Sequence, residues 1–373
     1  MAGPTSDIKR GLVGVIADST AISMVNEETN SLLYRGYPVQ ELAESCSFEE
    51  VAYLIWHGEL PSKPELERFV GAERSLRSVP PALLNMLGTL PTTCHPMDVL
   101  RSAVSFLGAS DPTEDDASRA ANLHKSLDMM AKLATIVAFE QRRRRGEPPI
   151  APDLDLSFAE NFFHCCFGAV PEPAVVRSFE ISLILYAEHS FNASTFTARV
   201  ITSTLSDIYS SVTGAIGALK GPLHGGANEA VMAMLEEIDD PLAAADWLRE
   251  ALAGRRKIMG FGHRVYKHGD SRVPTMRQAF EELARAKGAD RLLALYDNLE
   301  QAMLREKGIH PNLDFPTGPA YHLMGFDIPT FTPIFVMSRI TGWTAHVMEQ
   351  LEANALIRPL STYSGAPERH IAR

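Results

Sequence analysis

Cysteine is scarce in this chain: four in 373 residues, at Cys46, Cys94, Cys165 and Cys166. Their spacing fits no metal-ligand pattern, and the vicinal pair is too close for an ordinary disulfide loop. Free thiols in a reducing, cytoplasmic setting are the expectation. Positive charge is also short. There are 35 Lys and Arg against 46 Asp and Glu, a net charge of −11. That balance argues against nucleic acid or an anionic membrane as the main partner. No stretch reaches the roughly 18 apolar residues of a membrane span. The apolar run Leu12–Ile16 is too brief for the core of a secretory signal. No G-x-S-x-G elbow, P-loop or H-E-x-x-H pair is present. The GFG at 260–262 lacks both a third glycine and a preceding strand, so it is not a dinucleotide fingerprint. Repeats of 20–50 residues and low-complexity segments are absent too.

What the chain does have is apolar residues, 45% of the total, many at helical spacing. Its length suits two or three domains, or one large core with a subdomain. Strand signals are confined to residues 11–36, where Val13–Val25 and Leu32–Tyr34 flank the polar stretch Asn26–Asn30 as a small hairpin. Beyond it the pattern is helical nearly throughout. Ser47 and Glu50 form a capping box, and Gly58 stops that helix. Ser62 and Pro64 open another, bounded by Pro80 and Pro81. A further helix follows Pro96. Thr113–Asp116 reads as the acidic first turn of a long helix ending in Arg142–Arg145, an arginine run best taken as a solvated face. Pro171 and Pro173 precede a stripe of Val175, Val176, Phe179, Leu183 and Tyr186. Phe196–Leu219 is a long apolar-rich stretch whose small residues admit a close neighbour. Phe331–Gln350 is a strongly apolar helix interrupted by Arg339, His346 and Glu349.

Chemistry-bearing residues gather where these helices break. His224 sits in GPLHGGAN, residues 221–228, at the start of a helix. A helix N-terminus disfavours imidazolium, and a neutral imidazole can donate its N–H to a carbonyl or a developing enolate. The same histidine could simply fill a tight turn. His189, in the polar break Glu188–Ala193, faces either a cleft or solvent. Between Arg255 and Arg272 stand six Lys or Arg and one acid, Asp270. This local reversal of sign could hold phosphates or carboxylates, or be a basic loop balanced by acidic neighbours. Asp314 lies in the proline-broken loop HPNLDFPTG. Arg339, in so apolar a run, needs a partner, because a buried unpaired charge is costly. A His263–His268 metal pair is a poor fit, the two being five apart in a glycine-containing loop. Loop histidines, a loop aspartate and several arginines together suit proton abstraction beside a carbonyl, with an anionic substrate held bidentately.

At these residues the chain resembles the citrate synthase family. The motifs are GPLHGGAN, GFGHRVYK with Arg272 nine residues after His263, PNLDF around Asp314, and FVMSR ending at Arg339. NSLLYRGYPVQELA, HPMD at 95–98 and YAEHSFNASTFTAR resemble the 2-methylcitrate synthases among its bacterial members. The resemblance covers nearly the whole length. It implies an all-α, two-domain, citrate synthase-like helical fold with a small N-terminal β-hairpin. The large domain would be 1–225 with 326–373, and the small domain 226–325. It implies an acyltransferase that converts the acyl group to alkyl on transfer. Propionyl-CoA would condense with oxaloacetate to 2-methylcitrate, with citrate synthase side activity; citrate synthase proper, using acetyl-CoA, is the alternative. A non-catalytic helical scaffold that kept the fold is a further reading. By resemblance His224, His263 and Asp314 are catalytic, and His189, Arg272, Arg339 and Arg358 bind substrate. Lys257, Ile258, Met259, Gly260 and Phe261 would line the coenzyme A site. The CoA thioester is a substrate; no permanently bound cofactor or metal is implied. The enzyme would be a cytoplasmic homodimer, with Arg358 crossing to the other subunit's site. Ser271 stands where many relatives carry proline before the arginine.

Overall fold

The structure is a computed structural model that describes residues 8–371 except 27, 267 and 268. Three short antiparallel strands, β1 (Ser23–Asn26), β2 (Ser31–Tyr34) and β3 (Tyr37–Pro38), form a meander in the order β1-β2-β3. The expected hairpin is present but shorter on its first side. Residues 13–21 make no strand pairing, and the third strand was not anticipated. Glu27, in the expected turn, lies outside the described residues.

The other regular elements of the described chain are helices. It runs α1 (Val39–Ser45), α2 (Phe48–His57), α3 (Lys63–Leu76), α4 (Pro81–Gly88), α5 (Pro96–Ser110), α6 (Arg119–Arg144), α7 (Phe158–Phe167) and α8 (Pro173–Tyr186). Then come α9 (Ala193–Thr202), α10 (Ile208–Leu219), α11 (Ala227–Glu236), α12 (Ala244–Ala253), α13 (Val273–Ala286), α14 (Asp290–Lys307), α15 (Asp314–Met324) and α16 (Phe331–Glu352). The capping box of α2 forms as expected, with Gly58 left-handed at its exit.

Several expectations are corrected. Pro81 does not merely bound α3; it occupies the first position of α4, where its missing N–H costs nothing. Thr113–Asp116 precedes α6 instead of opening it. Three of its backbone carbonyls accept from the buried Lys125 Nζ, and Ser118 caps the helix. The Phe196–Leu219 stretch is two helices, because Asp207 caps a new start by accepting from Ser210 N–H at 2.7 Å. Gly214 lets these two helices close. A Cβ there would fall 2.2 Å from Ile201 Cδ1. The arginine run is tied down rather than solvated. Arg143 and Arg144 both bind Glu140, Arg142 donates to the carbonyls of Pro148 and Cys166, and Arg145 pairs with Asp327.

Helix α16 is the spine. Every residue from Phe331 to Met348 is buried, as expected of a helix that is apolar all round. It packs against α2, α5, α6, α8, α9, α10 and α11. The indole of Trp56 anchors it from α2, donating to Thr341 O and Thr344 Oγ1. An aromatic cluster of Phe162, Phe163, Phe167, Phe179, Tyr321 and Phe326 ties α7 and α8 to α15. The break between α8 and α9 lies against the middle of α16, and that contact positions the site.

Candidate active site

Asp314 lies at the first turn of α15, not in an open loop; the helix accepts Pro316 early and continues through Pro319. Residues 260–262 run beside 310–312 in a short antiparallel bridge. Asn312 N–H donates to Gly260 O at 2.9 Å, and Gly262 N–H to His310 O at 2.8 Å. Asn312 then spans the two segments, donating from Nδ2 to Gly262 O and accepting the Asp314 N–H on Oδ1. This pairing fixes the His263 segment against the start of α15. Gly260 must be glycine: its φ is +80°, and a Cβ would fall 2.6 Å from Val231 and 3.0 Å from Phe315.

The Asp314 carboxylate accepts from the Tyr186 hydroxyl at 2.6 Å. Burial raises its pKa to about 6, against the pull of that hydrogen bond and of the nearby Arg272 and Arg339. Such a carboxylate is ionised at neutral pH yet basic enough to take a proton.

Both loop histidines are neutral, and their hydrogen bonds fix their tautomers. Ser194 N–H donates to His224 Nε2 at 3.2 Å, so that nitrogen is unprotonated and the proton sits on Nδ1. Trp343 Nε1 holds the Ser194 hydroxyl in turn. Burial, with Arg339 adding to it, lowers the His224 pKa to about 3. His263 has the opposite tautomer. Its Nδ1 accepts the N–H groups of Val265 and Tyr266, which leaves the proton on Nε2. Burial and then Arg272 lower its pKa to about 4. His189 packs its ring 5.0 Å from that of His263. Its buried Nε2 has no hydrogen-bond partner among the described residues, and burial followed by Arg272, His263 and Arg339 pushes its pKa well down.

Two buried guanidiniums complete the group. Arg339 Nε donates to Tyr186 O at 2.6 Å, and its plane lies over Phe335. Among the described residues no carboxylate lies within ion-pair distance of it, and burial lowers its pKa to about 10. Arg272 is clamped by Asp270 through Nε and Nη2, and Asp270 Oδ2 also accepts Leu313 N–H. Burial opposes the charge on Arg272, but Asp270 outweighs it and holds the arginine protonated. Ser271, in place of proline, donates to Tyr266 OH, and its carbonyl accepts from Gln40. Arg272 acts electrostatically on His189, His263 and Asp314, and Arg339 on His189, His224 and Asp314. These four residues therefore all lie within electrostatic reach of one or both buried cations.

Arg358 is not in this group; it is exposed in the segment after α16. Of Lys257–Phe261, Ile258 and Gly260 are buried, Lys257 is exposed, and the Phe261 ring packs tilted against Phe315 with centroids 4.4 Å apart. The neighbouring Arg256 is neutralised by Glu237 and lies over Trp247. Lys267 and His268 lie outside the described residues, and with them the His263–His268 pairing. Among the described residues no group of three or more His, Cys, Asp or Glu could hold a metal ion. Tyr186, Ser194 and Asp270 are contacts of this candidate site that sequence reasoning passed over. Tyr186 could have been noticed as a tyrosine at the buried end of a helix, whose hydroxyl needs a partner. Asp270 was the lone acid in a basic stretch.

A family model described as "Citrate synthase, C-terminal domain" matches residues 11–360. The 2-methylcitrate synthase of Mycobacterium tuberculosis (strain H37Rv) is 64% identical over 99% of this chain and 94% of that protein. The citrate synthase of Mycolicibacterium smegmatis is 61% identical over 98% of this chain and 97% of its own length. Among solved structures, the Thermoplasma acidophilum citrate synthase in ternary complex with carboxymethyl coenzyme A and oxaloacetate superposes with a TM-score of 0.94. It is 32% identical over 98% of both chains.

Proposed function

The chain belongs to the citrate synthase family, and on that footing we propose that it condenses propionyl-CoA with oxaloacetate and water to give 2-methylcitrate and CoA, accepting acetyl-CoA as a side substrate. The observation that carries this reading is the pairing of one carboxylate of pKa about 6, acted on by both Arg272 and Arg339, with two neutral imidazoles, His263 beside Arg272 and His224 under the influence of Arg339. Asp314 removes the α-proton of the thioester. The electron pair left behind moves toward the thioester oxygen, which takes a hydrogen bond from His224 Nδ1–H. The enolate carbon then attacks the ketone carbon of oxaloacetate, forming the carbon–carbon bond. The ketone π-pair moves to its oxygen, which takes the proton from His263 Nε2; the ring regains a proton from water as Asp314 releases the one it took, so both groups return to their starting state. Water finally cleaves the thioester and CoA leaves.

Neither base nor donor suffices alone. A positioned base contributes about 10²–10⁴-fold, and loss of one preorganised donor costs about 10²–10³-fold. Arg272, Arg339 and His189 hold oxaloacetate; the unpaired guanidinium of Arg339 and the unpartnered Nε2 of His189 support this. Lys257–Phe261 line the coenzyme A site. Two lobes, 1–225 with 326–373 and 226–325, close over the substrates and exclude water. The enzyme works as a cytoplasmic homodimer in which the partner subunit's Arg358 completes each site.

The name of the 61% relative favours a second reading, citrate synthase proper. The two acyl chains differ by one methylene, worth about 1–3 kcal/mol to a pocket. The ratio of kcat/KM for propionyl-CoA and acetyl-CoA decides. A ratio above one is expected, and a clear acetyl-CoA preference assigns the second reading.

A further inference from the structure

The HPMD turn at the head of α5 takes no part in the steps above, yet it grips both ends of the loop that carries His224. His95 Nδ1 accepts Met97 N–H at 3.2 Å, so Nε2 holds the proton and donates to Glu229 Oε2 at 3.0 Å. Asp98 receives Lys220 Nζ on both oxygens, at 2.8 and 2.7 Å, and also pairs with Arg101. Burial opposes the charge on Asp98, but Lys220 prevails and holds its carboxyl below the usual range. Lys220 and Glu229 flank the GPLHGGAN segment, a loop over 221–226 that passes into the first turn of α11.

The loop between these two points is tightly folded. His224 N–H donates to Gly221 O, and Gly225 N–H to Leu219 O, both at 2.9 Å. A Cβ at Gly225 would fall 2.5 Å from Leu219 Cγ. Glu229 has a second role, accepting the Thr332 N–H at the start of α16 on its other oxygen. The loop therefore has little freedom of its own, and its placement follows Lys220 and Glu229.

We propose that His95 and Asp98 are positioning residues for the condensation, a two-point clamp that aims the His224 Nδ1–H at the thioester oxygen. The inference rests on the reading of His224 as that donor. Partly exposed pairs like these add little stability. Their effect is on geometry, where a misplacement of about 1 Å can cost about 10²-fold in rate.

The test uses the full-length protein carrying Asp98→Ala, His95→Ala, Lys220→Asp and the charge swap Asp98→Lys with Lys220→Asp. Each single variant should lose about 10-fold or more in kcat, while calorimetry finds the oxaloacetate Kd within about twofold of wild type. The swap should recover most of the kcat lost by Lys220→Asp. In a His224→Gln background, Asp98→Ala should cost nothing further, because the group it aims is gone. A merely structural role would weaken oxaloacetate binding alongside kcat and would persist in that background. Either result overturns the clamp, as do single variants with kcat within about twofold of wild type, or a folded swap no faster than Lys220→Asp. His224→Gln separates the two levels. If it keeps wild-type turnover, the reading of His224 fails; if it is crippled while the clamp variants stay fast, the clamp fails alone.

Discussion

Two opposing effects meet at Asp314. Burial pushes its carboxyl up to about 6, and the Tyr186 hydroxyl, donating at 2.6 Å, pulls it back toward the ionised form. As the proposed base it works only when deprotonated, so kcat/KM should fall about tenfold per pH unit below its pKa. His224 and His263, with pKa values of about 3 and 4, stay neutral over that range and add no limb there. Tyr186→Phe removes a donor that favours the carboxylate, so the acid limb should move to higher pH, by up to about one unit. A pH profile of kcat/KM checks this; a limb that stays put or moves down rejects tuning by the hydroxyl. Asp314→Asn should lose at least about 10²-fold in turnover while calorimetry still detects oxaloacetate. At this scale the sequence was informative where a residue contradicted its surroundings. Arg339 in an apolar helix and His224 at a helix start stood out for that reason. Tyr186 did not, because it completes an apolar stripe and its partner is 128 residues away.

Helices were legible where their ends carried local chemistry, as at Ser47 with Glu50 and at Gly58. They were missed where a proline read as a stop. Pro81 opens α4 and Pro316 lies inside the first turn of α15, because the missing N–H of proline is harmless at a helix start. The packing of α16 on the α8–α9 break was illegible, since it depends on which residues meet rather than on either pattern. Gly342 marks that contact. A Cβ there would fall 2.1 Å from Glu188 Oε2 and 2.7 Å from Ala187 O. Glu188 is fully buried, held by Ser23 and His346, and adjoins His189. Gly342→Ala should destabilise the protein by about 1–3 kcal/mol and weaken oxaloacetate binding, because the Glu188–His189 turn must shift. Gly71, exposed in α3 with open space around it, is the control. Gly71→Ala should stabilise by about 0.5–1 kcal/mol. Urea denaturation measures both. Equal effects of the two substitutions would refute the idea that contact with α16 fixes the turn.

At the scale of the whole molecule, the segment after α16 leaves apolar side chains exposed. Beyond α16 the backbone is non-helical, with Leu360 89% and Tyr363 79% exposed. Arg358 lies among them and makes no hydrogen bond or ion pair among the described residues. Sequence periodicity reports how a chain packs on itself, so a segment that packed only on another subunit would carry no such signal. If the proposed dimer has twofold symmetry, each tail reaches the other subunit's site and an arginine variant damages its neighbour's chemistry rather than its own. Arg358→Ala and Asp314→Asn should then each be nearly inactive alone. In a mixed dimer, one site combines an intact Asp314 with an intact Arg358 from across the interface, and the other site has neither. With free exchange of equal amounts, half the dimers are mixed and half their sites work, giving about a quarter of the wild-type rate. Co-expression or mild dissociation and reassociation of the two variants, followed by a thiol-release assay, measures the recovery. Activity that stays at the level of the separate variants, with mixed dimers confirmed by mass, would place Arg358 in the service of its own subunit.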